Sequence, residues 1–372
     1  MKQLSYLSFD TVARQDGNLR PHTHVQEIIR GLERRGWQVK LYAPGYLGSQ
    51  PSVWARLREF LRIQIRLWRD REKPDVVYIR NHVAAFPTSV WARLKKIPVV
   101  WEVNGPYEDL FIAWPWTRRM RPLFEAFIRK PMQWADAVVA VTPQLARWAE
   151  KEGAQNVFVV PNAANTEMFR PGREPAGDLE LPPQYVLFFG SLAPWQGIDT
   201  ILQAVELPDW PREMALVVVG DGVERPKVEM AARGSRKIMY LGPQPYEKMP
   251  GVIAGSRVAL VPKMDFGIYS STGLAPLKVF ESLACGVPVI VTDLPFMADL
   301  IREGKCGIVI PPGDAKALAK AVRFLYEHPE KRREMGRRGR VLVETKHSWD
   351  RRAAETEQIL KQMWRQTERE QF

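Results

Sequence analysis

The feature that most constrains this chain is a regular alternation of short apolar runs with longer helical patterns. Residues 4–9, 39–43, 76–79, 99–103 and 137–141 are β-rich runs, with helical patterns such as 25–34 and 53–69 between them. The second half repeats the arrangement. Residues 185–189, 216–219, 238–241, 258–261, 287–291 and 307–310 read as strands, and 200–206, 276–284 and 315–327 as helices. Strands that are apolar along their whole length and alternate with helices belong to parallel sheets covered on both faces. The prediction is an α/β protein. A chain of 372 residues exceeds what one core ordinarily serves. The stretch 171–183, PGREPAGDLELPP, breaks the alternation, is rich in Pro and Gly, and reads as a linker. Two domains, 1–170 and 183–349, are therefore expected. Ligands of such sheets bind at the carboxyl ends of the strands, so the site is expected in a cleft between the two.

Charge narrows the partners. Residues 1–170 hold 26 Lys and Arg against 16 Asp and Glu, while 171–372 hold 28 against 26, so the first half carries most of the net +12. Such a face attracts phosphate, in nucleic acid, anionic lipid or a phosphorylated substrate. No nucleic-acid-binding motif accompanies the charge, so nucleic acid is not an expected partner. No apolar run approaches the ~18 residues of a membrane span, and the start lacks the long apolar stretch of a signal peptide. Cys285 and Cys306 have no metal-ligand spacing and read as small buried thiols. A cytoplasmic location is the expectation.

The segment 270–293, SSTGLAPLKVFESLACGVPVIVTD, carries the clearest chemistry. Ser271 or Thr272 is suited to cap a helix, Gly273 allows close approach to the backbone, and Pro276 suits a first helical turn. The N–H groups of Leu274 and Ala275 would then face outward at a positive helix end, an arrangement that binds phosphate. Lys278 and Glu281 share a face three residues apart. The lysine suits an anion and the carboxylate suits paired hydroxyls such as a ribose diol. The residues alone leave open an ordinary capped helix with an i,i+3 ion pair.

This segment resembles the donor-site signature of the retaining glycosyltransferases of family 4, which have the GT-B fold. Glu281 matches the glutamate that holds the donor ribose, and Ala284, Gly286, Pro288, Val289 and Ile290 match the A-x-G-x-P-V-I tail. Further stretches match in the family's order: ADAVVAVTPQL at 135–145, VVPNAANTEMFRP at 159–171, FFGSLAPWQGIDTILQA at 188–204, VVVGDG at 217–222 and CGIVIPPGD at 306–314. The resemblance implies two Rossmann-like domains with parallel sheets, the first on the acceptor side and the second binding a nucleotide-sugar donor. It also implies a last helix, 350–372, crossing back to the first domain.

The resemblance further implies donor contacts from Gly17, Gly190, Ser191, Trp195, Gln196, Gly197, Gly242 and Pro243. Three positions depart from the family pattern. Gly273 stands where many members have a second glutamate, and Ser191 and Gln196 stand where an Arg and a Lys usually meet the diphosphate. Cations are still needed there, which points to Lys278 and then Lys263. Asn104, in WEVNGPY, stands where members often have a His near the reacting carbon. An amide donates and accepts hydrogen bonds but shuttles no proton. Glu102, Glu108 and Asp109 lie nearby as candidates to activate an acceptor hydroxyl. Arg80, Asn81 and His82 follow another strand end, and His24 matches a family His.

The implied reaction is front-face transfer with retention, in which the leaving diphosphate takes the acceptor's proton. No Asp-x-Asp metal site stands in a suitable place, so neither metal nor other cofactor is expected. A nucleotide-sugar epimerase and a non-catalytic binding subunit are the alternatives. Finally, 53–69 (VWARLREFLRIQIRLWR) and 111–134 combine Trp and Leu with arginines. In the first, Val53, Leu57, Phe60, Leu61, Ile65 and Trp68 read as one apolar stripe. Cationic helices of this kind lie on anionic membranes, so attachment at the inner face of a membrane is an expectation, with a lipid-linked acceptor.

Overall fold

The computed structural model describes residues 2–9, 13–15, 18–20, 23–45, 52–175, 177 and 179–371. Two compact units divide the chain: Met1–Pro161 with Trp349–Phe372, and Asn162–Ser348.

The first unit contains β1 (Lys2–Leu7), β2 (Ala13–Gln15), β3 (Asn18–Arg20), β4 (Trp37–Tyr42), β5 (Val76–Arg80), β6 (Val99–Val103), β7 (Ala137–Ala140) and β8 (Val157–Val159). Six of them form a parallel sheet in the order β4-β1-β5-β6-β7-β8. All of β6 and β7 is buried, as strands covered on both faces require. The exception is β2 and β3, an antiparallel pair with Gln15 opposite Asn18. In the sequence this region reads as a turn leading into a helix. Asp-Gly between two short runs is instead a hairpin signature. Asp16, Gly17 and His22 themselves lie outside the described residues.

The second unit contains β9 (Tyr185–Phe189), β10 (Ala215–Val219), β11 (Ile238–Tyr240), β12 (Val258–Val261), β13 (Val289–Thr292) and β14 (Gly307–Ile310). They form one parallel sheet in the order β11-β10-β9-β12-β13-β14. The strand order reverses beside β9, the switch point at which doubly wound sheets bind their ligands. Val186, Phe188, Leu216, Val218, Leu260 and Ile290 are buried in its core.

The changeover between units falls at 161, ahead of the 171–183 stretch that composition marks as a linker. Residues 162–169 are held within the second unit. Asn162 Nδ2 donates to the Ala275 carbonyl at 2.6 Å, and Arg340 donates to the carbonyls of Phe169 and Thr166 at 2.6 and 3.0 Å. Proline and glycine content does not mark the residue at which the chain passes from one unit to the other.

The helix Trp349–Gln371 belongs to the first unit and packs on the helix Thr23–Arg34. A Cβ on Gly31 would fall 2.3 Å from Ala353 Cβ, so the two helices pack too closely for a side chain at position 31. Trp349, Ala353, Ile359, Leu360 and Met363 are buried along this helix.

Candidate functional site

In the second unit the strand ends converge. Gly190 follows β9, Gly220 and Gly222 follow β10, and Lys263 lies just past β12. Gly220 has φ +137°, and a Cβ there would meet the Gly190 carbonyl oxygen at 1.9 Å. Only glycine lets these two strand ends come so close. Beneath them sits Lys278, on the helix Leu277–Ala284 and 8% exposed. Its Nζ donates to Gln196 Oε1 at 2.9 Å and lies 4.2 Å from the centroid of the Phe188 ring. A side chain at 190 would press on this ammonium, with its first carbon 3.3 Å from Nζ. Burial, with Lys263 adding to it, pushes the Lys278 ammonium well below the ordinary lysine value, and Glu281 offsets only part of this. A cation so desolvated favours a bound anion. One turn on, buried Glu281 accepts the Tyr246 hydroxyl at 2.8 Å. Lys278 thus takes Gln196 as its hydrogen-bond partner rather than Glu281, which sets aside the i,i+3 ion pair.

In the first unit a pocket of about 230 Å³ opens at the ends of β5 and β6. Arg80, Asn81, His82, Asn104, Tyr107 and Asp109 line it. Behind it lies Glu102, 1% exposed. Its Oε1 accepts from Arg80 at 2.9 Å and from Asn104 at 2.6 Å, and its Oε2 accepts from Tyr78 at 2.8 Å and Tyr6 at 3.1 Å. His24 Nδ1 lies 3.5 Å away. Burial alone would raise this carboxyl. His24, Arg80 and the hydrogen bonds from Asn104 and Tyr78 outweigh it and hold Glu102 below the usual carboxylate range. Glu102 therefore does not stand ready to take a proton from an acceptor. It is a buried anion that fixes the groups facing the pocket. Burial raises the half-buried Glu108. Among the described residues no cluster of three His, Cys, Asp or Glu is placed to hold a metal ion.

Residues 22–168 match the model of Glycosyltransferase Family 4, and residues 174–342 match that of Glycosyl transferases group 1. The chain belongs to the glycosyl transferases group 1 family. It is 27% identical over 243 residues to the alpha-D-kanosaminyltransferase of Streptomyces kanamyceticus, a match that takes in 56% of this chain and 61% of that one. It thus spans less than two thirds of that relative's length. It is also 27% identical over 322 residues to the GDP-mannose-dependent alpha-(1-6)-phosphatidylinositol dimannoside mannosyltransferase of Mycobacterium tuberculosis, covering 84% of this chain and 77% of that one. The Anabaena protein HepE, in complex with UDP and glucose, superposes with a TM-score of 0.72 over 97% of this chain and 100% of that chain, at 15% identity. This likeness is one of fold, with two α/β sheet units of the GT-B kind.

The other donor positions of the glycosyl transferases group 1 pattern fall as follows. Ser191 is exposed and Trp195 half-buried, its carbonyl accepting from the Met264 N–H at 3.1 Å. Gln196 is buried, and Gly197 caps the helix that starts at Ile198. The Gly242 carbonyl accepts from the Gly220 N–H at 2.9 Å, and Pro243 is exposed. The Lys263 carbonyl accepts the Thr292 hydroxyl at 2.8 Å.

The start of the helix corrects the sequence reading. Ser271 and Thr272 are not its caps. Both lie in a separate short helix, Ile268–Thr272, and both hydroxyls donate back to the Ile268 carbonyl. Thr272 is fully buried. Gly273, at φ +67°, ends that helix, and the Leu274 N–H donates to the Pro295 carbonyl at 3.2 Å instead of facing outward. Ala275 is buried, and the next helix begins only at Leu277, with Pro276 at its cap. Sequence reading missed Tyr246, which no local signal marks. It also assigned no role to Gly220, although VVVGDG was visible.

Proposed function

We propose that this protein transfers a sugar from a nucleoside-diphosphate sugar to an acceptor hydroxyl, with retention of configuration and without a metal ion. The observation that carries this reading is the buried Lys278 ammonium under the Gly190 backbone, with Glu281 one turn further along the same helix. Lys278 supplies positive charge where a diphosphate leaves, and Gln196 holds it in place. Glu281, already oriented by Tyr246, suits the ribose diol. As the bond from the sugar carbon to the phosphate oxygen breaks, the acceptor oxygen bonds to that carbon on the same face. The acceptor's proton passes to the leaving phosphate oxygen, so no protein base is required. Catalysis then rests on placement and on charge at the leaving group. Asn104, at the mouth of the first unit's pocket, hydrogen-bonds the reacting sugar or the acceptor. A glycolipid or other glycoconjugate fits as acceptor, and the reaction is assigned to the cytoplasm.

UDP, named with HepE, and GDP, named with the mannosyltransferase, are the nucleotides to test first. Melting is followed with each nucleotide in EDTA, for the natural protein, Glu281→Ala and Lys278→Met. At a hundredfold excess over Kd a bound nucleotide adds ~2.7 kcal/mol, or roughly 5–10 °C. The expected result is a rise with one nucleotide that both substitutions abolish. No rise with either, or a rise that needs a divalent ion, overturns the reading.

A further inference from the structure

Fourteen large apolar side chains are exposed among the described residues, and eight of them come from two short stretches of the first unit. Val53, Trp54, Leu57 and Leu61 lie on the helix Val53–Trp68, at 63, 81, 51 and 52% exposure. Trp114, Trp116, Met120 and Leu123 lie on the 3₁₀ turn and helix after residue 113, at 42–58%. The stretches touch, since the Arg56 guanidinium lies 5.5 Å from the Trp114 ring centroid. The stripe read from sequence is not the buried face of this helix: of its members Val53, Leu57 and Leu61 are exposed and Phe60, Ile65 and Trp68 half-buried, while Ile63, Gln64 and Leu67, outside it, face the core. Arg58 and Arg62 continue the exposed face of the first stretch, and Arg118 and Arg119 that of the second.

We propose that this face docks on the surface of an anionic lipid bilayer. Arginines ringing exposed Trp, Leu and Met are the composition of an interfacial membrane patch. The apolar side chains enter the headgroup region and the guanidiniums meet lipid phosphates. A second copy of the chain is a poor occupant. A twofold contact through this face would set arginines against the same arginines. Nucleic acid would use the charge but not the apolar side chains. No helix among the described residues is long and apolar enough to cross a membrane, so the contact is with one leaflet. The pocket at Asn104 is close along the chain. Leu110 lines it, and the Trp114 N–H donates to the Leu110 carbonyl at 2.8 Å. A bilayer-anchored acceptor would thus be presented beside that pocket.

The test is co-sedimentation of the full chain with vesicles of phosphatidylcholine alone and of an equimolar mixture with phosphatidylglycerol. It needs no turnover, so it stands apart from the transfer reaction. The expected result is binding to the mixed vesicles only, with a blue shift of tryptophan emission. W54S/W114S/W116S should abolish both. R58Q/R62Q should weaken binding by about tenfold or more, with melting unchanged in each variant. The proposal is overturned by absence of binding at low salt, by binding that the tryptophan variant retains, or by self-association through this face without lipid.

Discussion

Asn104 donates its side-chain amide to Glu102 Oε1 at 2.6 Å. An ionised carboxylate only accepts hydrogen bonds, so the amide has one orientation, nitrogen toward Glu102 and oxygen away from it. This separates two roles that the motif WEVNGPY leaves merged. Asn104→Ala leaves Glu102 its bonds from Arg80, Tyr78 and Tyr6. Melting should hardly move, while the transfer rate falls by about a hundredfold, as when one oriented hydrogen-bonding group is lost. Glu102→Gln instead removes the buried charge facing Arg80, at ~3 kcal/mol, and melting should fall by roughly 6–12 °C. Melting curves and kcat for the two variants decide it. A Glu102→Gln protein that melts like the natural one shows that the charge of Glu102 does not fix the groups around it.

The buried Lys278 has a signature in pH. Its folded value lies well below the ordinary 10.5. Between the two values the unfolded chain holds a proton that the folded chain lacks, so this residue's contribution to stability improves as pH rises across that window. At lower pH its unfavourable contribution is present in full. The difference in melting temperature between the natural protein and Lys278→Met should therefore shift in favour of the natural protein as pH approaches 10.5. A difference independent of pH shows that the ammonium titrates normally.

Ending the chain at Ser348 removes Trp349, Ala353, Ile359, Leu360 and Met363 from the first unit. Each large apolar side chain contributes ~1.5–3 kcal/mol by burial, and the sum rivals the ~5–15 kcal/mol of a whole domain. The shortened chain should lose the first unit's melting transition and keep the second's. Calorimetry that shows both transitions intact refutes this.

Gly220→Ala tests the converging strand ends. The new methyl group would fall 1.9 Å from the Gly190 carbonyl oxygen, at a φ of +137°. Stability should drop by ~2 kcal/mol or more, and any nucleotide stabilisation should disappear with it. Unchanged melting would mean that the two loops part easily.

The fold was legible because its strands are apolar throughout and its helices are periodic. Tyr185–Phe189 and Val258–Val261 need no partner information to be read as buried strands. The hairpin at β2 and β3 was missed because three-residue strands carry almost no periodicity. Composition put the domain boundary in the Pro-rich stretch, yet the second unit already begins at Asn162, and the hydrogen bonds of Asn162 and Arg340 tie residues 162–169 to it. In the site, Lys278 and Glu281 were visible because helical spacing joins them. Their partners were not, since Gln196 lies 82 residues from Lys278 and Tyr246 lies 35 from Glu281. Ser271 and Thr272 misled because a hydroxyl before a helix caps it only if the helix starts where the pattern suggests. For Glu102, the run 99–103 reads as covered on both faces, but nothing local names Arg80, Tyr78, Tyr6 and His24 as the groups gathered around its carboxylate.

The hydroxyl of Tyr246 on Glu281 also bears on timing. A glutamate free to rotate must be ordered when its ligand arrives, at about 0.5–1.5 kcal/mol for a flexible side chain. Here a phenol from a different segment has already set the carboxylate in the folded chain. The entropy of placing it is lost once, during folding, and a ligand meeting Glu281 finds an acceptor whose direction is already chosen. Removing the hydroxyl with Tyr246→Phe would leave the carboxylate in place but take away one of the contacts that set its direction before a ligand arrives.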